Sequence, residues 1–229
     1  MSQRQDDQDT PGEYSSPPCF MHEIDPAYMG LAPTSDAQQR ADVMRWRKAE
    51  RQRQIEQRLA IPADERRQAS ERIAASLDQV LGEIRGRTVS VYWPFRGEPD
   101  LRPWMERVSA RGGTCALPLV VEKGAPLVFR VWEPGARLAR GIWNIPYPAD
   151  GAEVVPDIVI APVVAFDRAC FRLGYGGGFF DRTLAGLPGT VQPVGVGYAR
   201  AAIPTIYPQP HDIPMSLVVT EHGVAEPLR

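Results

Sequence analysis

The sequence predicts an α/β fold: one open, mostly parallel sheet with helices on both faces. Two observations carry this. Short β-rich apolar runs alternate along the chain with amphipathic stretches of helical period, the pattern of parallel strands joined by helical crossovers. The chain has 229 residues and is 43% hydrophobic, enough for one full α/β core and too short for a second large domain. A third observation locates the site: Gly174, Gly176, Gly177 and Gly178 crowd into five positions.

Residues 1–35, rich in Gln, Asp, Ser and Pro, read as a flexible arm ahead of an α/β domain at 36–229. Cys19, His22, Glu23 and Asp25 in this arm are possible metal donors, but zinc needs ligands at set spacing and no second cluster is near in sequence. Phe20, Met21, Tyr28 and Met29 give the arm apolar anchors for packing on the body. A helix is expected over 36–60, with Asp36 as its N-cap. It is heavily basic: Arg40, Arg45, Arg47, Lys48, Arg51, Arg53 and Arg58. Arg47 and Arg51, four apart, share a face; by itself this reads as a solvated basic surface.

A second helix is expected over 63–84, its core face set by Ala69, Ile73, Leu77, Val80 and Leu81 and its end by Gly86. Residues 88–93 alternate and form a strand. The loop 94–98 then lies at that strand's C-terminal end, where open α/β sheets bind ligands, and it carries Glu98. Asp100 can cap a helix over 101–111. Strands follow at 114–121 and 127–132. Phe129 and Trp132 can stack on a flat ligand, although core packing is the commoner role of aromatics. Residues 141–148 read as a proline-rich loop, 158–166 as the central strand, 191–198 as another, and 217–220 as a short last one.

The glycine stretch, residues 171–182, follows the central strand and precedes an amphipathic segment with Phe180, Leu184 and Leu187 at helical spacing. Strand, glycine loop and helix make an anion site by elementary means. Glycines admit positive φ and close approach, and the helix aims free N–H groups and its positive dipole end into the loop. Arg172 and Arg182 can fork onto phosphate oxygens, and Asp181 can hold magnesium. The competing reading is a glycine-rich turn with a structural ion pair. The Walker loop is excluded because no Lys follows the glycines. The dinucleotide fingerprint fails because Phe179 stands where its last glycine belongs.

A net charge of −2 implies no large nucleic-acid surface. No run of 18 apolar residues is present, so no membrane span is expected. Residues 1–8 do not resemble a secretory signal. Three cysteines far apart, an odd number without zinc spacing, indicate a reduced cytoplasmic compartment.

The run Arg172-Leu173-Gly174-Tyr175-Gly176-Gly177-Gly178-Phe179-Phe180-Asp181-Arg182 resembles the signature of the 5-formyltetrahydrofolate cyclo-ligase (methenyltetrahydrofolate synthetase) family. Residues 162–167 ahead of it, His211-Asp212 and residues 218–221 match as well, and the similarity runs from about residue 40 to the C-terminus. The resemblance implies a three-layer architecture like that of sugar-phosphate isomerases and CoA transferases. It also implies an ATP- and magnesium-dependent enzyme that converts 5-formyltetrahydrofolate to 5,10-methenyltetrahydrofolate; a monomer is expected.

Carried over residue by residue, the resemblance places ATP on Arg47, Arg51, Arg172, Leu173, Gly174, Tyr175, Gly176, Gly177, Gly178, Phe179 and Phe180. A one-residue gap leaves Lys48 as the alternative to Arg47. Folate falls to Trp93, Glu98, Tyr175, Gly176, Gly177, Gly178 and Phe179, with Glu98 taking two parallel hydrogen bonds from the pterin. Tyr92, Pro94 and Glu98 match the family stretch that carries this carboxylate. Asp181 and Asp212 are the magnesium carboxylates, and Arg172 and Tyr175 the catalytic pair. No protein nucleophile is needed.

Three departures from the family pattern stand out: Cys170 for a glycine, Phe179-Phe180 for a tyrosine pair, and Asn144-Ile145-Pro146 where Glu-Pro is common. They keep two other readings open, a related enzyme acting on another formamide or pterin and a non-catalytic folate- or nucleotide-binding protein.

Overall fold

The computed structural model describes residues 37–228. The expected arm, its Cys19, His22, Glu23 and Asp25, and the Asp36 cap lie outside the described residues. The chain divides into two compact units, Met1–Asp42 and Val43–Arg229. Of the first, only the opening of helix α1 (Ala37–Leu59) is described; the fold and the site lie in the second.

The framework is an eight-stranded sheet. Its members are β1 (Thr88–Ser90), β2 (Thr114–Leu119), β3 (Val128–Trp132), β6 (Glu153–Val154), β7 (Ile158–Pro162), β10 (Gln192–Val196), β11 (Leu217–Thr220) and β12 (Gly223–Ala225), in the order β12-β11-β10-β7-β1-β2-β3-β6. The middle five are parallel, with Val89 opposite both Cys115 and Ile158, and Ile160 opposite Val194. The flanking strands β12 and β3 run antiparallel to these five, and the edge strand β6 pairs antiparallel with β3.

Alternate residues of a strand face opposite sides, and here each side is covered. Cys115, Leu117, Ile158, Ile160, Val194 and Val196 pack against Ile73, Leu77 and Leu81 of α2 (Ala63–Leu81) and Trp104, Met105 and Val108 of α3 (Arg102–Ala110). Ala116, Val159, Ala161 and Val218 pack against Phe180 and Leu184 of α4 (Phe179–Gly186). The result is the expected three-layer α/β arrangement.

Several boundaries differ from expectation. Helix α2 stops at Leu81 rather than running on to residue 84, so its end is not set by Gly86. Gly82 takes φ 59 and ψ −126, a backbone that glycine adopts without the strain of a Cβ, and its amide bonds to the Asp78 carbonyl. The run 158–166 is not one strand. After Pro162 the Val163 amide still bonds to Val196 of β10, but the next amide, of Val164, bonds to Leu173. The chain leaves the sheet there for a small hairpin of β8 (Ala165–Phe166) and β9 (Arg172–Leu173), held by Ala165, Leu173 and Ile206 in their own apolar cluster. The glycine loop therefore follows this hairpin, not the central strand.

Residues 141–148 are not a plain loop either. β4 (Leu138–Arg140) and β5 (Pro146–Pro148) pair antiparallel around a 3-10 turn at Ile142–Asn144. A two-stranded ribbon has free edges, where the missing N–H of proline is tolerated. Strands β6 and β12, short and weakly patterned, were not expected from the sequence.

Cys170, standing where the family commonly has glycine, has φ 60 and is fully buried. The left-handed backbone explains the glycine, and a side chain there costs about 1 kcal/mol. Burial beside Phe166, Met215 and Val218 offsets that cost.

Candidate active site

Helix α1 packs on the domain through a polar face. Arg47, Glu50, Gln54 and Arg58 are buried and Arg51 half-buried. Positions 47, 51, 54 and 58 repeat at i, i+4, i+7 and i+11, one face of a helix. Trp46 pins this face edge-on against Tyr207, ring centres 4.9 Å apart. The helix thus delivers three guanidinium groups to three different loops.

The first is Arg47. It donates to both oxygens of Asp212, at 2.6 and 3.1 Å, from 165 residues away. Burial pushes the Asp212 carboxyl up, but the hydrogen bonds from Arg47 and the Gln209 amide outweigh it and hold the group below its ordinary value. The second is Arg51. Its Nε donates to the Gly174 carbonyl, and its guanidinium lies so close to Gly176 that a Cβ there would meet it at 3.3 Å. Lys48 is exposed.

The third is Arg58, which joins a knot around Glu98. Glu98 is buried and accepts from the Phe95 amide at 2.8 Å and from the Tyr175 hydroxyl at 2.8 Å. Arg58 donates to the Tyr175 oxygen and to the Arg96 carbonyl. Burial raises the Glu98 carboxyl to about 7, against the pull of Arg58, the Phe95 amide and the Tyr175 hydroxyl. Tyr175 belongs to the glycine loop, so this hydroxyl ties that loop to the 94–98 loop.

Within the glycine loop, Gly176 and Gly178 have φ 93 and 64. Gly178 is the N-cap of α4 and supplies no side chain, so the first amides of the helix are not capped by one. At Gly177 a Cβ would lie 2.7 Å from the Phe179 ring, and at Gly178 one would lie 2.7 Å from Arg182. Arg182 folds back to bond the Gly177 carbonyl and sits 5.2 Å from the Phe179 ring centre. Leu173 is a core residue by its side chain, and Phe180 is half-buried under α4, so only the backbone of Leu173 faces the loop's chemistry.

At the root of the loop Arg172 is buried, donating to Asp181 at 3.0 Å and to the Ile213 carbonyl at 3.0 Å. Burial lowers its proton affinity, offset by Asp181 beside it. Asp181 in turn accepts from the Ile213 amide at 3.1 Å. Asp181 and Asp212 are thereby fastened to neighbouring points of one segment, each with its own arginine. Among the described residues no group of three His, Cys, Asp or Glu side chains is placed to hold a metal.

Beside Glu98 opens a cleft of about 550 Å³ lined by Trp93, Pro94, Phe95, Arg102, Arg140 and the hairpin tip 143–146. Trp143 and Asn144 both have positive φ, 57 and 61. Trp143, exposed, meets Phe179 edge-on with ring centres 5.8 Å apart. Adjacent strained non-glycine residues cluster at functional sites. The tip carries Asn144-Ile145-Pro146, the stretch that departs from the family pattern.

The structure thus brings Arg47, Arg51, Arg172, Tyr175, the glycines, Glu98, Asp181 and Asp212 to one edge, and Trp93 to the adjoining cleft. Sequence reasoning missed Arg58. Its signal was present as a third cation at the spacing of Arg47 and Arg51, but nothing marked it off from the other arginines of the helix.

Comparison with known proteins gives a consistent picture. The model of the 5-formyltetrahydrofolate cyclo-ligase family matches residues 43–221. The 5-formyltetrahydrofolate cyclo-ligase of Escherichia coli (strain K12) is 31% identical over 178 residues, 75% of this chain and 98% of that protein. Its counterpart from Mycolicibacterium smegmatis (strain ATCC 700084 / mc(2)155) is 30% identical over 174 residues, 72% of this chain and 89% of that protein. The solution structure of Aquifex aeolicus 5,10-methenyltetrahydrofolate synthetase aligns with a TM-score of 0.69 at 29% identity, covering 79% of this chain and 92% of that one.

Proposed function

The chain belongs to the 5-formyltetrahydrofolate cyclo-ligase family, ATP-dependent ligases that form 5,10-methenyltetrahydrofolate, and from that premise we propose how its own residues carry the reaction. The observation that carries the reading is Tyr175. One hydroxyl joins a glycine loop of phosphate-binding form to a buried carboxylate suited to a pterin, so both substrates of the ligase have a place around it.

ATP lies against residues 174–178 and the start of α4, with Arg47 and Arg51 supplying cationic donors. The pterin amino group and ring N–H donate to Glu98, and the rest of the folate extends into the cleft past Trp93 and Phe179. The formyl group is an amide, and its oxygen is a poor leaving group. That oxygen attacks the γ-phosphorus and ADP departs. N10 of the same folate then attacks the activated carbon, the bond to the phosphorylated oxygen breaks, and N10 loses its proton. The former formyl oxygen leaves in inorganic phosphate. Catalysis here is placement and charge neutralisation. Arg172 neutralises charge at the root of the loop, and Tyr175, its hydroxyl on Glu98, holds the glycine loop against the folate site.

Asp181 and Asp212 are the carboxylates that would hold a magnesium ion arriving with the nucleotide. Magnesium takes one or two carboxylates together with phosphate oxygens and waters, and Asp181 accepts from the amide of Ile213, the residue that follows Asp212. The ion offsets negative charge on the β- and γ-phosphates when bound.

Cys115 and Cys170 are buried free thiols, as suits the cytoplasm. Among the described residues no helix is long and apolar enough to cross a membrane.

The test is direct. Purified protein with 5-formyltetrahydrofolate and ATP-magnesium forms the methenyl product, followed optically, and oxygen label in the formyl group appears in phosphate. Turnover without label transfer removes the phosphorylated intermediate.

A further inference from the structure

We propose that Arg58 is a positioning residue of the ligase. Its guanidinium clamps Tyr175 of the glycine loop against the 94–98 loop and keeps Glu98 charged for the pterin. The inference rests on the reading of Glu98 as the pterin acceptor.

The geometry is specific. Arg58 is 5% exposed, near the end of α1. Two of its nitrogens are committed, Nε to the Arg96 carbonyl at 2.9 Å and Nη2 to the Tyr175 oxygen. Its guanidinium carbon lies 5.7 Å from the Tyr175 ring centre. The third nitrogen, Nη1, is buried without a hydrogen-bond partner among the described residues, 4.0 Å from Glu98 Oε1. A buried guanidinium donor left unsatisfied costs free energy, and so does a buried carboxylate without a cation. Each of these groups accounts for the other.

The groups that face Glu98 are few. Arg58 comes from α1, Tyr175 from the glycine loop, Tyr198 from the segment after β10, and Tyr92 and the Phe95 amide from Glu98's own stretch. Arg66 acts on Tyr198 behind them. Burial holds all three phenols above their ordinary values, so they are neutral at working pH and Arg58 is the cation of the set. Burial brings Glu98 to about 7 even with Arg58 in place. Without Arg58 the carboxyl keeps its proton at neutral pH, and a protonated carboxyl cannot accept two parallel hydrogen bonds.

The experiment measures the Kd of 5-formyltetrahydrofolate without ATP across about pH 6 to 9 for the full chain and for R58M, R58K and E98Q. The expected result is a wild-type affinity that rises through about pH 7. In R58M the rise moves up by about one pH unit or more, with R58K restoring the wild-type midpoint. A loss in R58M that is the same at every pH, or a midpoint that R58K does not restore, overturns the proposal.

E98Q separates this from the reading beneath it. If E98Q binds folate as well as wild type does, the pterin reading fails; if E98Q binds poorly and R58M loses affinity evenly with pH, the clamp alone fails. Should R58M not fold at neutral pH, its folding at about pH 5, where Glu98 is protonated, supports the clamp, and its failure to fold at either pH overturns it.

Discussion

The guanidinium of Arg47 and the carboxylate of Asp212, 165 residues apart in sequence, meet face to face with nitrogen–oxygen distances of 2.6 and 3.1 Å. Side-chain exposures of 8% and 4% place the pair out of water. The pair fastens α1 to the segment that also holds Asp181, and its two members are the proposed phosphate and magnesium ligands. Structural and functional consequences of mutation are therefore entangled at Arg47 and separable at Arg51.

Arg47→Ala leaves Asp212 buried without its cation and is expected to destabilise the fold by about 3–5 kcal/mol. Arg51 bonds a carbonyl and not a carboxylate. Arg51→Ala is expected to keep most stability while weakening ATP binding by roughly tenfold to a hundredfold, the worth of a charge-assisted bond of about 1.5–3 kcal/mol. Lys48→Ala, at an exposed site, is expected to change either by less than about 1 kcal/mol. Urea unfolding and ATP titration at saturating folate measure both. A Lys48→Ala effect larger than that of Arg51→Ala moves the phosphate contact to Lys48.

Asp181→Asn keeps an oxygen for the Ile213 amide and removes the charge opposite Arg172. Its circular dichroism is expected to match wild type while turnover at limiting magnesium falls steeply. Unchanged magnesium dependence would take Asp181 out of the site.

The loop glycines differ in what a methyl group would meet. At Gly174 nothing lies within 4 Å of the added Cβ and no left-handed φ is required. At Gly178 φ is 64 and the Cβ would sit 2.7 Å from Arg182. Gly174→Ala is expected to leave stability within about 0.5 kcal/mol of wild type, and Gly178→Ala to cost about 1–2 kcal/mol through strain. If the loop cradles phosphates, Gly174→Ala raises the KM for ATP in a fully stable protein. A KM equal to wild type there means the ligand does not approach that backbone.

Glu98 carries a stability cost that depends on pH. Its carboxyl is raised from 4.5 to about 7 by burial. The folded state therefore binds this proton more tightly than the unfolded state. The associated stability is full below the ordinary value and is lost as pH rises through about 7. The difference amounts to about 3 kcal/mol. Glu98→Gln is expected to gain about that much on wild type between about pH 5 and pH 8, while losing folate affinity. Urea unfolding at the two pH values measures it. A gap that does not change with pH means Glu98 is not buried as a carboxylate.

Periodicity and turn chemistry made much of the fold legible. The core face of α2 followed from Ile73 and Leu77, and the parallel strands from their apolar runs, because these depend on local spacing. The glycine run marked a candidate anion site for the same reason: positive φ and close approach are properties of the residue itself. The split of residues 158–166 was not legible. Whether Val164 extends the sheet or turns to Leu173 depends on which partner lies near, and both present equivalent backbone groups.

What the sequence determined, then, was the main helices and the parallel strands, the family, and the residue types of the site. The tertiary structure alone decided the pairings: Arg47 with Asp212, Arg51 with Gly174, Arg58 with Tyr175 and Glu98, across 40 to 165 residues. A helix carrying seven cations reads as a solvated surface until its neighbours are known. Burial distinguishes them, sinking Arg47 and Arg58 and leaving Lys48 in water, and burial is a property of the packed molecule rather than of any stretch of chain.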